Sequence, residues 1–189
     1  MAKAKAITGL NPAAPTGKNA RKIALGRLEE LYARSSAVDQ PYALQELHDL
    51  RIAAKRLRYT LEIFADELPA GCEAVVSELT QIQDELGQLH DSDVLIALLR
   101  LCLGSQENPL PERALAQLQR STARSFVWPD MVVELLDRSV APSAEQRYGL
   151  EQLLRKQQQT RTEQYQTFRR HWYRLQEQDF RRQLLDLLQ

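Results

Sequence analysis

Glycine and proline are scarce, 7 and 8 among 189 residues, which argues against a turn-rich β architecture and against a low-complexity chain. There are only two cysteines, Cys72 and Cys102, with no Cys-x-x-Cys spacing. That excludes a disulfide scaffold and fits free thiols in a reducing cytosol. The longest apolar run, Val94 to Leu99, is far short of the ~20 residues a membrane helix needs, so no membrane partner is expected. The first twenty residues carry Lys3, Lys5 and Lys18 but no apolar stretch, and no secretory signal is expected. Glycine-rich phosphate loops, HExxH and GxSxG are also missing. What is present is Leu, Gln, Arg, Glu and Ala, with few β-branched residues and 43% apolar content. These are good helix formers in a chain able to build a core, so the expected class is all-α.

The formal net charge of zero conceals segregation. Residues 48–58 hold Arg51, Lys55, Arg56 and Arg58 against Asp49, whereas residues 59–99 hold no Lys or Arg and nine acids. Residues 145–189 are again basic, nine cations against six acids. The local field, not the total, decides what such a chain attracts.

Residues 1–16 show no periodicity and are expected to be a disordered tail, with one helical domain over 17–189. Helices are predicted over about 18–35 and 42–68, the second opened by Pro41 and closed before Pro69 and Gly71. Val75, Leu79, Ile82, Leu86 and Leu89 repeat at helical spacing. That third helix either runs on to about Leu103 or breaks at Asp91-Ser92. Further helices are predicted over 111–126 and 129–138. Ser143-Ala-Glu-Gln146 reads as a capping box opening a long helix to about Leu175, followed by a short one over 179–188. The architecture expected is an antiparallel helical bundle with a long C-terminal helix.

The second helix carries the chemistry. With Leu50 at 0° and 100° per residue, Leu47, Ala54, Leu57, Leu61 and Phe64 form a core stripe between about −40° and 60°. Arg58, Arg51, Lys55 and His48 follow at about 80–160°, then Ile52, Tyr59 and Ile63 at about 180–220°. Asp49, Ala53, Arg56 and Thr60 are left for solvent. A basic strip between two apolar borders is recessed, and its cations need an anion. Either acids of the next segment supply it, with Glu62, Asp91 and Asp93 available, or an external polyanion does. The second border also needs a neighbour, from the first helix, from the 111–138 helices or from a second copy of the chain; a homodimer is thus one expected arrangement.

In the long helix, Leu150, Tyr165, Phe168 and Trp172 form the apolar stripe, and Arg161 sits inside it with Arg169 on its flank. The aromatics read as core. Arg161 either pairs with a buried acid or lines the same cavity as Arg51, and Asp93 is expected to orient a guanidinium from the second helix. His48-Asp49 and His90-Asp91 are two HD dipeptides, so an HD-type metal-dependent phosphohydrolase is an alternative. Only three histidines exist, and His171 lies among Arg169, Arg170 and Arg174, a poor setting for a divalent metal.

The segment Leu47-His-Asp-Leu-Arg-Ile-Ala-Ala-Lys-Arg-Leu-Arg-Tyr59 with Leu61-Glu62 resembles the signature of the CHAD family, the conserved histidine α-helical domain. Gln83-Asp-Glu-Leu-Gly-Gln-Leu-His-Asp91 resembles its second motif, and the Trp172 region and the Phe180-Arg-Arg-Gln-Leu-Leu ending resemble its C-terminal helices. Typical members carry two related halves; one His-bearing motif is found here, in a form similar to the second half. The resemblance implies a domain that binds inorganic polyphosphate on a basic surface. No nucleophile–base pair is visible, so no catalysis, metal or cofactor is expected; the location expected is the cytoplasm, with polyphosphate granules as one option there. It maps ligand binding onto His48, Arg51, Lys55, Arg56 and Arg58. Arg161 and Arg169 are expected to approach from the facing helix, and Arg56, the weakest, to project toward solvent. Nucleic acid is disfavoured as a ligand, since no exposed aromatic platform is expected beside the strip. A helical adaptor with a structural Arg–acid network is the other alternative.

Overall fold

The computed structural model describes residue 4 and residues 6–104 and 142–188. Five α-helices dominate the described chain: α1 (Thr16–Tyr32), α2 (Leu44–Ile63), α3 (Cys72–Cys102), α4 (Ala144–Glu177) and α5 (Phe180–Leu187). There is no strand among the described residues, and the fold class is all-α. No helix among them is long and apolar enough to cross a membrane. The helices predicted over 111–126 and 129–138 lie outside the described residues.

The chain divides into two compact units, Met1–His90 with Gln164–Gln189, and Asp91–Glu163. The larger unit holds the main core. Ala20, Ala24, Leu28 and Leu31 of α1 meet Leu47, Leu50, Ala53, Ala54, Leu57 and Leu61 of α2. Leu79, Ile82, Leu86 and Leu89 come from α3, and Phe168, Trp172, Leu175, Phe180 and Leu184 from the C-terminal helices. The Tyr165 hydroxyl donates to the Val38 carbonyl at 2.7 Å, which gives that buried hydroxyl an acceptor. Tyr165, Phe168 and Trp172 are all buried, as core residues. In the smaller unit Leu99, Leu103 and Leu150 cluster. There α4 opens with a closed capping box, in which the Ser143 N–H donates to Gln146 Oε1 at 2.8 Å and the Gln146 N–H to Ser143 Oγ at 3.2 Å.

Two expectations are corrected, and the choice left open for the third helix is decided. Within residues 6–15, the Gly9 carbonyl accepts from Lys22 Nζ at 2.6 Å, and the Asn19 side-chain amide pairs with the Asn11 backbone at 2.8 and 3.1 Å. Pro41 lies in a turn ahead of α2, which starts at Leu44. Helix α3 does not break at Asp91-Ser92, because tertiary contacts satisfy the polar side chains at and just beyond that point. Ser92 Oγ accepts from Gln157 at 2.8 Å and Asp93 accepts from Arg161 at 2.7 Å. Finally, the α2 arc assigned to solvent is covered by α1. Ala53 is fully buried and Thr60 nearly so, while Ile63 is 75% and Tyr59 42% exposed.

Candidate functional site

His48, Arg51, Lys55 and Arg58 follow one another at 3, 4, 3 spacing, so α2 holds them on one face over about 15 Å. All four are half-buried. On α3, Thr80, Gln83, Gly87 and His90 repeat the same spacing and form the wall beside them. The His48 and His90 rings lie 5.1 Å apart, tilted by 42°. Arg51 Nε donates to the Gln83 carbonyl at 3.4 Å, and Arg58 Nη1 donates to Thr80 Oγ1 at 3.4 Å. Lys55 Nζ and the Arg58 guanidinium stand 5.4 and 4.8 Å from the centre of the Tyr59 ring, a cation–π arrangement that steadies two long side chains; Tyr59 is exposed, so the expectation of no exposed aromatic beside the strip is corrected. Among the described residues the nearest carboxylate is Glu62, 3.6 Å from Arg58 Nε and itself exposed.

Charge is handled differently elsewhere. Glu30 of α1 is buried, and it receives Arg27 at 2.8 Å and Arg56 at 2.5 Å. Burial alone pushes the Glu30 carboxyl up, but the hydrogen bonds from Arg27 and Arg56 outweigh it and hold the group below the usual carboxylate range. Arg56 therefore does not project to solvent; it turns under α1, and Glu30 neutralises its charge. Arg161, in the smaller unit, is buried and bound to Asp93 at 2.7 Å. The expectation that Asp93 orients a guanidinium of α2 is corrected accordingly. Arg169 is exposed and paired with Asp39 at 2.9 Å, and Tyr173 Oη donates to the same carboxylate at 2.8 Å. Arg169 and then Tyr173 hold Asp39 below its ordinary range. Of the seven cationic or titratable side chains singled out in the sequence, four line the α2 strip and three are committed to acids.

His48 is unusual within the strip. Its Nδ1 is buried with no hydrogen-bond partner among the described residues. Burial first, then the neighbouring His90 and Arg51, depress its pKa, against a smaller opposite pull from Asp49. That direction favours the neutral ring.

A cluster missed in the sequence is His171 with Glu78 and Glu85. His171 is buried, with Nδ1 2.8 Å from Glu85 and Nε2 2.9 Å from Glu78. Hydrogen bonding to Glu85, opposed by burial and reinforced by Glu78, raises its pKa. The sequence immediately around His171 is cationic and hides these acids. The available signal was on α3, where two glutamates seven apart share a face and require a basic neighbour. Among the described residues no three His, Cys, Asp or Glu side chains come together in a group able to hold a metal ion.

Fold and site together define an all-helical domain with a recessed basic strip on one helix and a polar wall on the next. A family model described as the CHAD domain matches residues 2–100, just over half of the chain, and the chain belongs to that family. The match includes α1, α2 and nearly all of α3, hence both strip and wall; the C-terminal helices lie outside it. No curated protein and no solved structure matches the chain.

Proposed function

We propose that the chain binds inorganic polyphosphate, without turning it over, along the α2 strip. The observation that carries this reading is the contrast in charge pairing. Arg56, Arg161 and Arg169 each hold a carboxylate at 2.9 Å or less. Arg51 and Lys55 have none among the described residues, and Arg58 has only the longer contact to Glu62. Recessed cations left without an acid are an anion receptor waiting for its anion.

Arg51 and Arg58 supply charge-assisted hydrogen bonds to non-bridging phosphate oxygens, and Lys55 adds a point charge between them. His48 takes up a proton as phosphate approaches. A linear polymer suits the site better than a single phosphate, since the four groups are spread along one line. Arg56, Arg161 and Arg169 serve the fold, which is the part of the chain that an Arg–acid network describes. The free thiols Cys72 and Cys102 fit the reducing cytosol expected from the sequence. Filter binding or mobility shift with inorganic polyphosphate, run beside a metal-dependent phosphatase assay on the same preparation, tests the reading. Binding without phosphate release supports it; release without retention favours the phosphohydrolase.

A further inference from the structure

Gly87 stands in the middle of a 31-residue helix, where glycine is the least favourable residue after proline. Its φ is not among the positive values, which belong to Gly9, Gly71 and Gly104, so no turn or left-handed backbone explains it. The explanation is on α2. A Cβ at position 87 would meet, as its three nearest atoms, Arg51 Nε and Nη2 at 3.5 Å and Arg51 Cζ at 3.9 Å. All three belong to one guanidinium. That guanidinium is anchored through Nε to the Gln83 carbonyl, one turn earlier on α3, and its two terminal nitrogens have no hydrogen-bond partner among the described residues.

We infer that Gly87 is a positioning residue for the anion site: the missing side chain lets the Arg51 guanidinium rest against α3 with Nη1 and Nη2 kept for phosphate. The inference rests on the polyphosphate reading and adds a residue on the facing helix to it. A methyl group at position 87 fits at ordinary van der Waals distance, whereas a longer side chain takes the space that the guanidinium occupies. Helix propensity and binding then respond with opposite signs, which a merely structural glycine would not produce.

The test compares Gly87→Met, Gly87→Ala, Arg51→Ala and the Gly87→Met/Arg51→Ala double variant by thermal melting and by titration with inorganic polyphosphate at several salt concentrations. Both Gly87 variants are expected to melt at or above the wild-type temperature, since each adds a better helix former. Gly87→Met is expected to bind roughly 10-fold more weakly, the effect of removing one charge-assisted hydrogen bond. Gly87→Ala, whose methyl group fits at ordinary van der Waals distance, should bind like wild type, and Gly87→Met should show a shallower salt dependence. The double variant is expected to bind no more weakly than Arg51→Ala alone, because both substitutions act on the same guanidinium–phosphate interaction. Wild-type affinity and salt dependence in Gly87→Met, or decreases that add in the double variant, overturn the role of Gly87 and leave the polyphosphate reading standing. Wild-type binding by Arg51→Ala overturns that reading and the inference with it. Should Gly87→Met not fold, Gly87→Gln, which also reaches into the space of the guanidinium, carries the same test, and an unchanged affinity and salt dependence in it overturns the inference.

Discussion

Replacing Arg56 with alanine leaves Glu30 at 2% exposure with one cation, Arg27, in place of two. Breaking a fully buried ion pair costs about 3–5 kcal/mol. Two features of the site reduce that figure. The Arg56 side chain is 23% exposed, and Arg27 still donates to the other carboxylate oxygen at 2.8 Å. A destabilisation of about 1–3 kcal/mol is therefore expected, and for a chain of this size it lowers the melting temperature by roughly 2–12 °C. Polyphosphate affinity should change little, since Glu30 already neutralises the Arg56 charge. Arg51→Ala and Lys55→Ala should do the reverse, with melting almost unchanged and binding weakened by about 1–3 kcal/mol for each phosphate interaction removed. Circular dichroism melts and a polyphosphate titration on the three variants are sufficient. An Arg56→Ala protein that melts like wild type but binds much more weakly would refute the division between structural and ligand-facing cations.

Binding should weaken steeply with salt: four neutralised phosphates give a log–log slope of about −3, by analogy with single-stranded nucleic acid. A flat affinity between about 50 and 300 mM contradicts the electrostatic mechanism. His48 titrates below its ordinary 6.5 in the free fold, and a bound anion raises that value, so affinity should grow as pH falls through the range between the bound and the free value. The growth should vanish in His48→Gln, and its persistence there would assign the effect to another group. His171 has the opposite sign: its folded pKa is raised above 6.5. The stability it contributes is full below pH 6.5 and disappears as pH rises through the folded value. Urea midpoints across that range should fall in wild type and flatten in His171→Gln; equal slopes would show that the Glu78–His171–Glu85 cluster does not govern that range. Thr80→Val removes the acceptor for Arg58 Nη1 while keeping the side-chain shape, and a modest decrease in affinity with an unchanged melt is expected; identical binding would show that Thr80 does not orient Arg58.

The helical class, the capping box at Ser143 and the basic strip were legible because each is written in local spacing. The apolar stripe of α2 and the 3, 4, 3 placement of His48, Arg51, Lys55 and Arg58 need only 100° per residue. What was not legible depends on residues far apart in the chain. Arg56 lies on the arc read as solvent-facing, and nothing near it indicates that Glu30, 26 positions earlier, is buried against it. Small Ala53 and hydroxyl-bearing Thr60 are neutral on a wheel, and only the arrival of α1 makes that arc an interface. Asp93 offered several possible cations, and the choice of Arg161, 68 positions away, is a matter of tertiary packing. The part assigned to Gly87 was not legible either, because it depends on the Arg51 side chain of the facing helix.

The most direct measurement is calorimetric titration of the full chain with inorganic polyphosphate at low salt, for wild type and for Arg51→Ala/Lys55→Ala/Arg58→Ala, after melts have shown both to be folded. The account predicts saturable binding by wild type and none by the triple variant at the same concentrations. Binding by the folded triple variant with wild-type affinity, or no binding by wild type, would contradict it.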